Sequence, residues 1–410
     1  MKIFFVVPYP KGEAPSQRFR FEQYLNFIGE VGETPTSNVP AVGVPPHRTT
    51  HTSVDVSPHH TTYEFHSFWT AKEWKQLYKP GNKIAKVFAL IKGYLRRWKL
   101  MIRLRKADFV FIHREVAPLG PPIFEFIIAK ILRKKIIYDY DDAIWLHNSN
   151  MYKTNPLLYM ARWPRKVKTI CKWSYKISCG NKYLADFGLL HSRLRKLDSQ
   201  DANSPLSFGE GAGGEVANVF LVPTTIDTVK SHNQTKNQHT EKVVIGWTGT
   251  HSTMPYLNLI EDALKKLEEK YDFDFIVISN KKPALNLRSL IYFDWKEETE
   301  VSDLMKINIG IMPSKTDEWA KGKCGFKAIQ FMSLGIPTVA TPIGVNFEII
   351  KHGVNGYLCA TNEEWFAALE KLLLDENLRT EFGKKAQEEI AHDYSVLANK
   401  QKFLNLFTNL

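Results

Sequence analysis

At 410 residues, of which 44% are hydrophobic, the chain is long enough for two globular domains of roughly 150–200 residues each. None of its apolar runs reaches the length of about 20 residues that spans a bilayer, so no transmembrane helix is expected. The formal net charge of +12 favours anionic partners, namely nucleotide phosphates, an acidic membrane surface or nucleic acid. Basic and aromatic residues do not interleave on any strand, however, so we expect no nucleic-acid partner.

Both the N-terminus and the cysteines favour a cytoplasmic protein. The segment MKIFFVVPYP lacks a small-residue cleavage site and includes Pro8 and Pro10, which favours a buried first strand over a signal peptide. The cysteines are too far apart in the sequence for a metal-binding CxxC pair or a dense disulfide framework. They are Cys171, Cys179, Cys324 and Cys359. We therefore expect a reducing compartment.

Apolar runs bounded by turns alternate with amphipathic helical stretches along the whole chain. This alternation predicts an α/β fold with two Rossmann-like domains, each built on a doubly wound parallel sheet. The predicted strands are Ile3–Val7, Phe109–Ile112, Lys135–Tyr138, Val243–Trp247, Phe273–Ser279, Leu290–Phe293, Ile307–Met312 and Pro337–Ala340. The predicted helices include Tyr256–Lys270, Phe326–Leu334 and Glu363–Leu374.

Two segments, residues 32–62 and 197–217, interrupt this alternation. The first is rich in Thr, Pro and His, and the second holds four glycines. Neither has enough apolar surface to offset the entropy of ordering, so both are predicted to be disordered insertions. The histidines in and near the first segment match no metal-ligand spacing, and we expect no metal there. They are His47, His51, His59, His60 and His66.

The densest basic cluster, Lys92–Lys106, alternates basic and apolar residues at helical spacing. Two interpretations fit this pattern. The helix either lies on anionic lipid with Trp98 at the level of the headgroups, or packs on the core and exposes a solvated basic face. The first interpretation predicts a peripheral contact at the inner face of the plasma membrane.

Parallel sheets bind ligands beyond the carboxyl ends of their strands, so the loops after the strands are the first candidates for a site. The loop after the first strand holds Arg18 and Arg20 near a predicted helix start. It is either an anion or acceptor site or a capped helix with exposed arginines. His113 follows the strand Phe109–Ile112, where it either donates to a sugar hydroxyl or leaving phosphate or serves a structural role.

Three carboxylates, those of Asp139, Asp141 and Asp142, crowd the end of the strand Lys135–Tyr138. They can orient acceptor hydroxyls, cap the next helix or hold Mg²⁺. Hydroxyl binding or capping is favoured over metal, and Asp142 is the candidate for the acceptor.

The most informative loop follows the strand Val243–Trp247. Its glycine turn and hydroxyl groups can cradle a phosphate through Gly249, Thr250 and Ser252. Neither the GxGxxG pattern nor the Walker GK[ST] ending is present, which weakens NAD and ATP as ligands.

The predicted helix Phe326–Leu334 contributes a second set of candidates. Lys323, Lys327 and Gln330 follow each other at spacings of four and three residues, which places them on one side of this helix start. The two ammonium groups can neutralise a diphosphate, and the Gln330 amide can hydrogen-bond a ribose.

A series of motifs in this half resembles the GT-B glycosyltransferases, particularly glycosyltransferase family 4. The motifs are Pro313-Ser314 after a strand, the helix start Gly325-Phe326, and Phe331-Met-Ser-Leu-Gly-Ile-Pro-Thr-Val-Ala-Thr341 before a glycine loop. The resemblance covers about residues 218–392. The family often has two glutamates separated by seven residues, whose places here are Gly322 and Gln330.

The resemblance implies two domains that face a cleft, at residues 1–217 on the acceptor side and 218–392 on the donor side. It also implies a helix within 393–410 that returns to the first domain. Gly344, Val345 and Asn346 would contact the donor sugar or diphosphate through backbone amides, and His113 the sugar hydroxyls. His113 and Lys327 are the candidate catalytic residues, and Arg18 would hold the acceptor or a phosphate.

The function that the resemblance implies is transfer of a sugar from a UDP- or GDP-type donor to a glycan or lipid-linked acceptor. We expect retention of configuration, no obligatory metal or cofactor, and a place in cell-surface polysaccharide synthesis. The alternative from another class is a non-catalytic GT-B protein that binds a nucleotide sugar or a partner, which the missing glutamate at position 322 favours.

Overall fold

The fold was analysed in a computed structural model that describes residues 1–30, 61–146 except 78 and 80, 160–192 and 218–409. The predicted disordered insertions 32–62 and 197–217 lie outside the described residues, except for Thr61 and Thr62, and Thr62 is the first residue of β2. In the part of the chain that the structure describes, no helix has the length and apolar character needed to cross a membrane.

The first half of the chain forms a sheet of six parallel strands in the order β2-β1-β3-β4-β5-β6. Its buried strands are near-continuous apolar runs, because helices cover both faces of a parallel sheet. The bounds are β1 Lys2–Val7, β2 Thr62–Ser67, β3 Phe109–His113, β4 Lys135–Tyr140, β5 Lys176–Cys179 and β6 Val219–Leu221.

The second half forms another sheet of six parallel strands, in the order β12-β11-β10-β7-β8-β9. Each half thus has its own sheet and its own hydrophobic core, which confirms the predicted fold class. The bounds are β7 Val244–Gly249, β8 Asp274–Ser279, β9 Leu290–Asp294, β10 Ile309–Met312, β11 Thr338–Ala340 and β12 Gly356–Leu358.

Helices connect the strands and pack on the faces of both sheets. In the first half they are α1 Pro15–Arg18, α2 Ala71–Leu77, α3 Lys83–Arg103, α4 Ile123–Phe126, α5 Lys166–Trp173 and α6 Lys182–His191. In the second half they are α7 Glu261–Lys270, α8 Glu300–Leu304, α9 Glu318–Lys321, α10 Phe326–Ser333, α11 Asn346–Ile349, α12 Asn362–Leu374, α13 Glu376–Glu389 and α14 Val396–Leu404. Shorter 3₁₀ or π turns are Glu22–Glu30, Leu104–Lys106, Ile127–Ile131, Met254–Leu259, Ile390–Tyr394 and Asn405–Phe407.

Every strand predicted from the sequence is present, with ends that differ by one or two residues. Four strands were not predicted, namely β2, β5, β6 and β12. β6 pairs with β5, so the predicted boundary between residues 217 and 218 falls before the last strand of the first sheet. The chain passes to the second half within Leu221–Asp227, and the domain bounds otherwise stay a prediction.

The C-terminal helix α14 lies in the core of the first half. Phe403 stacks on Tyr24 with ring centroids 4.5 Å apart, and Phe407 contacts Phe5 and Phe111. All five side chains are fully or almost fully buried together with the β1 and β3 strands. Burial of large aromatic rings is among the strongest contributions to core stability, so this contact holds the end of the chain on the first half.

Helix α3 is fixed to the carboxyl edge of the first sheet by a buried arginine. Arg97 donates to the carbonyl oxygens of Val7, His66 and Val116 at 2.6, 2.9 and 2.7 Å. Gly93 lets the helix approach Phe68, because a Cβ atom there would lie 2.4 Å from the ring. The opposite face of α3 is exposed and mainly apolar, and Lys92 and Lys99 are exposed beside it. The helix packs on the core, as one interpretation of this segment predicted, and the contact with lipid stays a prediction.

Of the five histidines considered as metal ligands, only His66 lies in the described residues. It belongs to β2, and its Nε2 atom is 2.9 Å from a carboxylate oxygen of Glu64.

Candidate active site

The carboxyl ends of the two sheets meet at the segment Lys321–Gly325, which connects α9 to α10. Asn181, at the end of β5, donates from its Nδ2 atom to the carbonyl oxygens of Lys321 and Lys323 at 3.2 and 2.9 Å. Its Oδ1 atom accepts from the backbone N–H of Leu184 and thereby caps α6. A single side chain therefore fixes both the start of a helix in the first half and a loop of the second.

Two glycines make this contact possible. A Cβ atom at Gly322 would lie 2.6 Å from the Cβ atom of Ala143 and 2.9 Å from its backbone nitrogen. A Cβ atom at Gly180 would lie 2.3 Å from the Sγ atom of Cys324. A glutamate at position 322, which many members of the resembling family have, would not fit against Ala143 in this arrangement.

A chain of charges crosses between the two halves beside these glycines. Arg114 donates to Asp141 at 2.8 Å and to Asp142 at 2.6 Å, and Lys323 donates to Asp142 at 2.8 Å. Burial alone would raise the pKa of Asp142, but the charges of Lys323 and Arg114 outweigh it and lower the pKa. The carboxylates after β4 are thus held in ion pairs with basic side chains, a role that the sequence did not reveal.

The third carboxylate, that of Asp139, lies deeper and organises the end of the first sheet. It accepts from Arg20 at 2.5 Å, from the Ser178 hydroxyl at 2.7 Å and from the His113 Nδ1 atom at 2.8 Å. Burial would raise the pKa of Asp139, yet the charge of Arg20 and the hydrogen bond from His113 lower it well below its usual range. The carboxylate is therefore ionised and holds the proton of His113 on Nδ1.

His113 is fully buried, and its Nε2 atom has no hydrogen-bond partner among the described residues. A buried nitrogen without a hydrogen-bond partner lowers the stability of the folded protein. Such atoms occur in binding sites, where a ligand supplies the missing hydrogen bond. Contact with a donor sugar would require the residues that cover the imidazole to move apart, so the predicted catalytic role of His113 stays a prediction.

On the donor side, the turn after β7 and the start of α10 come together around Lys327. The Lys327 ammonium lies 4.7 Å from the ring centroid of Trp247 and donates to the Thr253 hydroxyl at 3.2 Å. A Cβ atom at Gly249 would lie 2.8 Å from the Cε atom of Lys327, so only glycine leaves room for this lysine. The predicted glycine turn and the predicted lysine are therefore neighbours.

The environment of Lys327 disfavours its charge in the empty protein. Burial and the nearby charge of Lys323 lower the pKa of Lys327 to about 7. Helix α10 begins at Phe326, and its N-cap residue Gly325 has a φ of +64° and no side chain to cap the helix. The first N–H groups of the helix consequently lack a side-chain acceptor, and an anion could satisfy both them and Lys327.

The other predicted donor contacts surround this point. Thr250 and Ser252 are exposed and their hydroxyls are 2.7 Å apart. Gln330 is buried one turn along α10, and its Nε2 atom has no partner. Asn346 starts α11 and donates to the Thr341 carbonyl at 2.9 Å, directly after Gly344 and Val345.

Arg18 lies on the opposite wall, in α1. It pairs with Glu297 at 3.3 Å and Glu300 at 3.5 Å, both from the second half, and its guanidinium lies 4.9 Å from the Phe19 ring. Arg18 thus contacts the other half of the molecule rather than standing free for an acceptor, and its predicted role stays a prediction.

Sequence reasoning missed three residues that build this site. Arg114 follows the end of β3 and comes directly after His113, so the same rule would have found it. Asn181 follows β5, a strand that the sequence did not predict, and therefore carried no such signal. The sequence offered no reason to assign Trp247 to the site, because a tryptophan in a strand is usually a core residue. Only the structure shows that its ring lies beneath the Lys327 ammonium.

Comparison with known proteins agrees with this geometry. Residues 230–389 match the model of the family described as Glycosyl transferases group 1. Residues 230–389 therefore form a group 1 glycosyltransferase domain, and the whole chain shares the GT-B fold of the similar structures. The resemblance and the class of enzyme predicted from the sequence are confirmed over the residues that this family model matches.

Three similar proteins illustrate the relationship. N-acetyl-alpha-D-glucosaminyl L-malate synthase of Bacillus anthracis is 24% identical over 123 residues, which are 30% of this chain and 31% of the relative. HepE of Anabaena, solved with UDP, has a TM-score of 0.59 at 12% identity over 100% of both chains. A glycosyltransferase of Rickettsia africae has a TM-score of 0.58 at 14% identity over 99% of this chain and 97% of its own.

We predict that Gly322→Ala destabilises the contact between the two halves. The added methyl group would overlap Ala143 and its backbone nitrogen, and overpacking of this kind costs about 1–3 kcal/mol. The melting temperature should fall by several degrees in a thermal-shift measurement. Gly29→Ala is the matched control, because a Cβ atom there meets nothing within 4 Å. Equal melting temperatures for the two variants would show that the Gly322–Ala143 contact does not form in solution.

Proposed function

We propose that this chain transfers a sugar from a UDP- or GDP-type nucleotide sugar to a glycan or lipid-linked acceptor, in the synthesis of a cell-surface polysaccharide. The reaction retains the anomeric configuration and has no obligatory metal or cofactor. The observation that carries the proposal is the arrangement of Lys327 over Trp247 at an uncapped helix start inside the group 1 domain.

The chemistry of this arrangement suits a diphosphate. The leaving nucleoside diphosphate carries negative charge that grows as the glycosidic bond breaks, and preorganised cations and N–H groups stabilise that charge. Lys327 and the first turn of α10 supply such groups, and the turn Gly249–Ser252 offers two hydroxyls beside them. These cations of the chain would therefore stabilise the charge of the leaving diphosphate, as a divalent metal does in other sugar transfers.

Lys323 and Asp142 give the site a second element that responds to the donor. In the empty protein they pair with each other across the two halves at 2.8 Å. A diphosphate beside Lys327 would compete with Asp142 for Lys323. Binding of the donor would then release the Asp142 carboxylate toward an acceptor hydroxyl, which fits the role predicted for it.

Solved relatives support the class of donor. HepE of Anabaena has been solved with UDP and with UDP-glucose, and it matches this chain over its whole length. Gln330 would bind the ribose, and Gly344, Val345 and Asn346 the sugar or the diphosphate. His113 would reach the sugar hydroxyls through its unpartnered Nε2 atom, and Arg18 would steady the acceptor or a phosphate.

An acceptor linked to lipid lies at the membrane surface, and so we include in the proposal a peripheral contact with the inner, anionic face of the plasma membrane. The overall charge of +12 favours such a contact. The chain would then act from the cytoplasm, where nucleotide sugars are made.

The rival is a GT-B protein that binds a nucleotide sugar without transferring the sugar, and the absence of a carboxylate at position 322 favours it. Incubation with radiolabelled UDP- and GDP-sugars and a cell extract separates the two. An enzyme is expected to release nucleotide and to label an acceptor fraction. Tight donor binding without release or label would favour the rival.

We predict that Lys327→Ala weakens binding of the nucleoside diphosphate about tenfold to a hundredfold. A charge-assisted hydrogen bond is worth about 1.5–3 kcal/mol, and the variant loses the one that Lys327 gives to the phosphates. Lys327→Arg should recover part of the loss. Calorimetry measures all three proteins with the diphosphate and with the nucleoside alone.

The nucleoside is the control, because it lacks the phosphates and should bind each variant equally. The melting temperature of the empty Lys327→Ala protein should stay the same or rise slightly, since a lysine at a helix start is opposed by the helix dipole. Unchanged diphosphate binding in Lys327→Ala would mean that the phosphates lie elsewhere.

We also predict that binding of the diphosphate takes up a proton at mildly alkaline pH. The pKa of Lys327 is about 7 in the empty protein, so the side chain is mostly neutral above that pH, and a bound anion would raise the pKa again. Affinity should therefore fall as the pH rises from about 7 to 9, where the phosphates are already ionised. Calorimetry in buffers of different ionisation enthalpy measures the uptake, which should vanish in Lys327→Met. Equal uptake in the variant would assign the proton to another group.

A further inference from the structure

The exposed face of α3 is an apolar stripe. Seven side chains at spacings of three and four residues lie on this face and are between 49% and 72% exposed. They are Ile84, Val87, Phe88, Ile91, Leu95, Trp98 and Ile102. We call this set the α3 stripe. Single exposed apolar residues are ordinary, but seven along one face of a helix of 21 residues indicate a surface that binds another molecule or a membrane.

The stripe has a basic border. The helix and the turn that follows it, residues 83–106, contain nine Lys or Arg residues and no acidic residue. Arg96 and Arg103 pair with Glu73 and Glu64, and Arg97 is buried. Lys92, Lys99, Arg105 and Lys106 are exposed. A helix with an apolar face flanked by lysines and arginines is typical of helices that lie in the plane of an anionic membrane.

A cavity opens beside the stripe. It has a volume of about 320 Å³ and is lined by Tyr94, Trp98, Leu119, Pro121, Ile123 and Phe124. Tyr94, the polar side chain among them, already donates to the Leu119 carbonyl and accepts from its N–H. The free surface of the cavity is therefore apolar and suits a hydrocarbon chain rather than a sugar or a phosphate.

The charge also decides against a second copy of this chain as the occupant. A symmetric contact through the stripe would bring the same cations against each other, which is unfavourable. The occupant must combine an apolar interior with negative charge at its surface. A bilayer that contains anionic lipid has both.

The position of α3 connects this surface to the proposed reaction. Arg97 of α3 donates to the carbonyl oxygens of Val7, the last residue of β1, and of His66, near the end of β2. It also donates to the carbonyl oxygen of Val116, after β3. The stripe therefore belongs to the same edge of the sheet as the loops predicted to hold the acceptor. A lipid whose tail is in the bilayer would present its head group toward this edge.

We propose that the α3 stripe and the cavity beside Trp98 bind the acyl region of an anionic membrane, with the basic border on the lipid headgroups. This inference rests on the proposed function only in that it explains how a lipid-linked acceptor is reached. Membrane binding itself requires neither donor nor transfer.

Co-sedimentation of the full chain with vesicles tests the proposal. The protein should bind vesicles of phosphatidylcholine with added phosphatidylglycerol, bind pure phosphatidylcholine far more weakly, and dissociate at high salt. Lys92→Glu with Lys99→Glu should weaken binding more than tenfold, and Leu95→Gln with Trp98→Gln should do the same. Vesicles with brominated acyl chains should quench tryptophan fluorescence in the wild type, and Trp98→Phe should lose most of that quenching.

Matched controls lie in the second half and at the C-terminal helix. Lys281→Glu with Lys282→Glu reverses two other exposed charges, and Leu374→Gln with Leu397→Gln changes two other exposed leucines. Both pairs should bind vesicles like the wild type. Equal binding by the α3 variants and the controls, or binding that ignores lipid charge, would overturn the proposal. So would a dimer that the Leu95 and Trp98 variants convert to a monomer, because the stripe would then bind a second copy.

The outcome is independent of the test for sugar transfer. Vesicle binding without transfer would leave this inference standing and contradict the proposed function. Transfer to a water-soluble acceptor with no vesicle binding would overturn this inference and the membrane contact included in the proposed function, and would leave the proposed sugar transfer standing.

Discussion

The site depends on how closely the segment Lys321–Gly325 approaches the carboxyl edge of the first sheet. Gly322 against Ala143 and Gly180 against Cys324 leave no room for further side-chain atoms, and Asn181 fixes the backbone of the segment with two hydrogen bonds. Because α10 begins directly after this segment, the same contact positions the start of α10. The place of Lys327 therefore follows from contacts made by the other half of the molecule.

This constraint explains why position 322 is a glycine, where the resembling family often has a glutamate. A carboxylate at position 322 has no space, and the buried carboxylates of the site come from the first half instead, where Asp139 and Asp142 are held ionised by Arg20, Arg114 and Lys323. Lys323 and Lys327 belong to the second half, and the carboxylates of Asp139, Asp141 and Asp142 belong to the first. In the proposed reaction, this division would place cations near the leaving diphosphate and carboxylates near the attacking hydroxyl.

The sequence was sufficient for the fold and for part of the site. Strands such as β4 and β8 can be predicted because a parallel strand that is buried on both faces is a long apolar run. Strands β6 and β12 have three residues each, which is too short to distinguish them from a loop by sequence. The pairing of Lys327 with the Gly249 turn was expected from strand-end rules. The pairing of Lys323 with Asp142 depends on the packing of the two halves. The contact of Lys327 with Trp247 and the burial of His113 depend on packing within one half. Residue spacing carries no information about either kind of packing. The sequence left two interpretations of α3 open, because the same pattern fits a helix on lipid and a helix packed on the core, and only the structure shows which side chains are exposed.

The central claim is that a nucleoside diphosphate binds between the start of α10 and the turn after β7. A crystal structure of the chain with UDP or GDP tests it most directly. We predict that phosphate oxygens lie within about 3 Å of the Lys327 ammonium and of the first N–H groups of α10, with Lys323 released from Asp142. Phosphates bound elsewhere, with Lys327 still over Trp247 and paired with Thr253, would contradict the account.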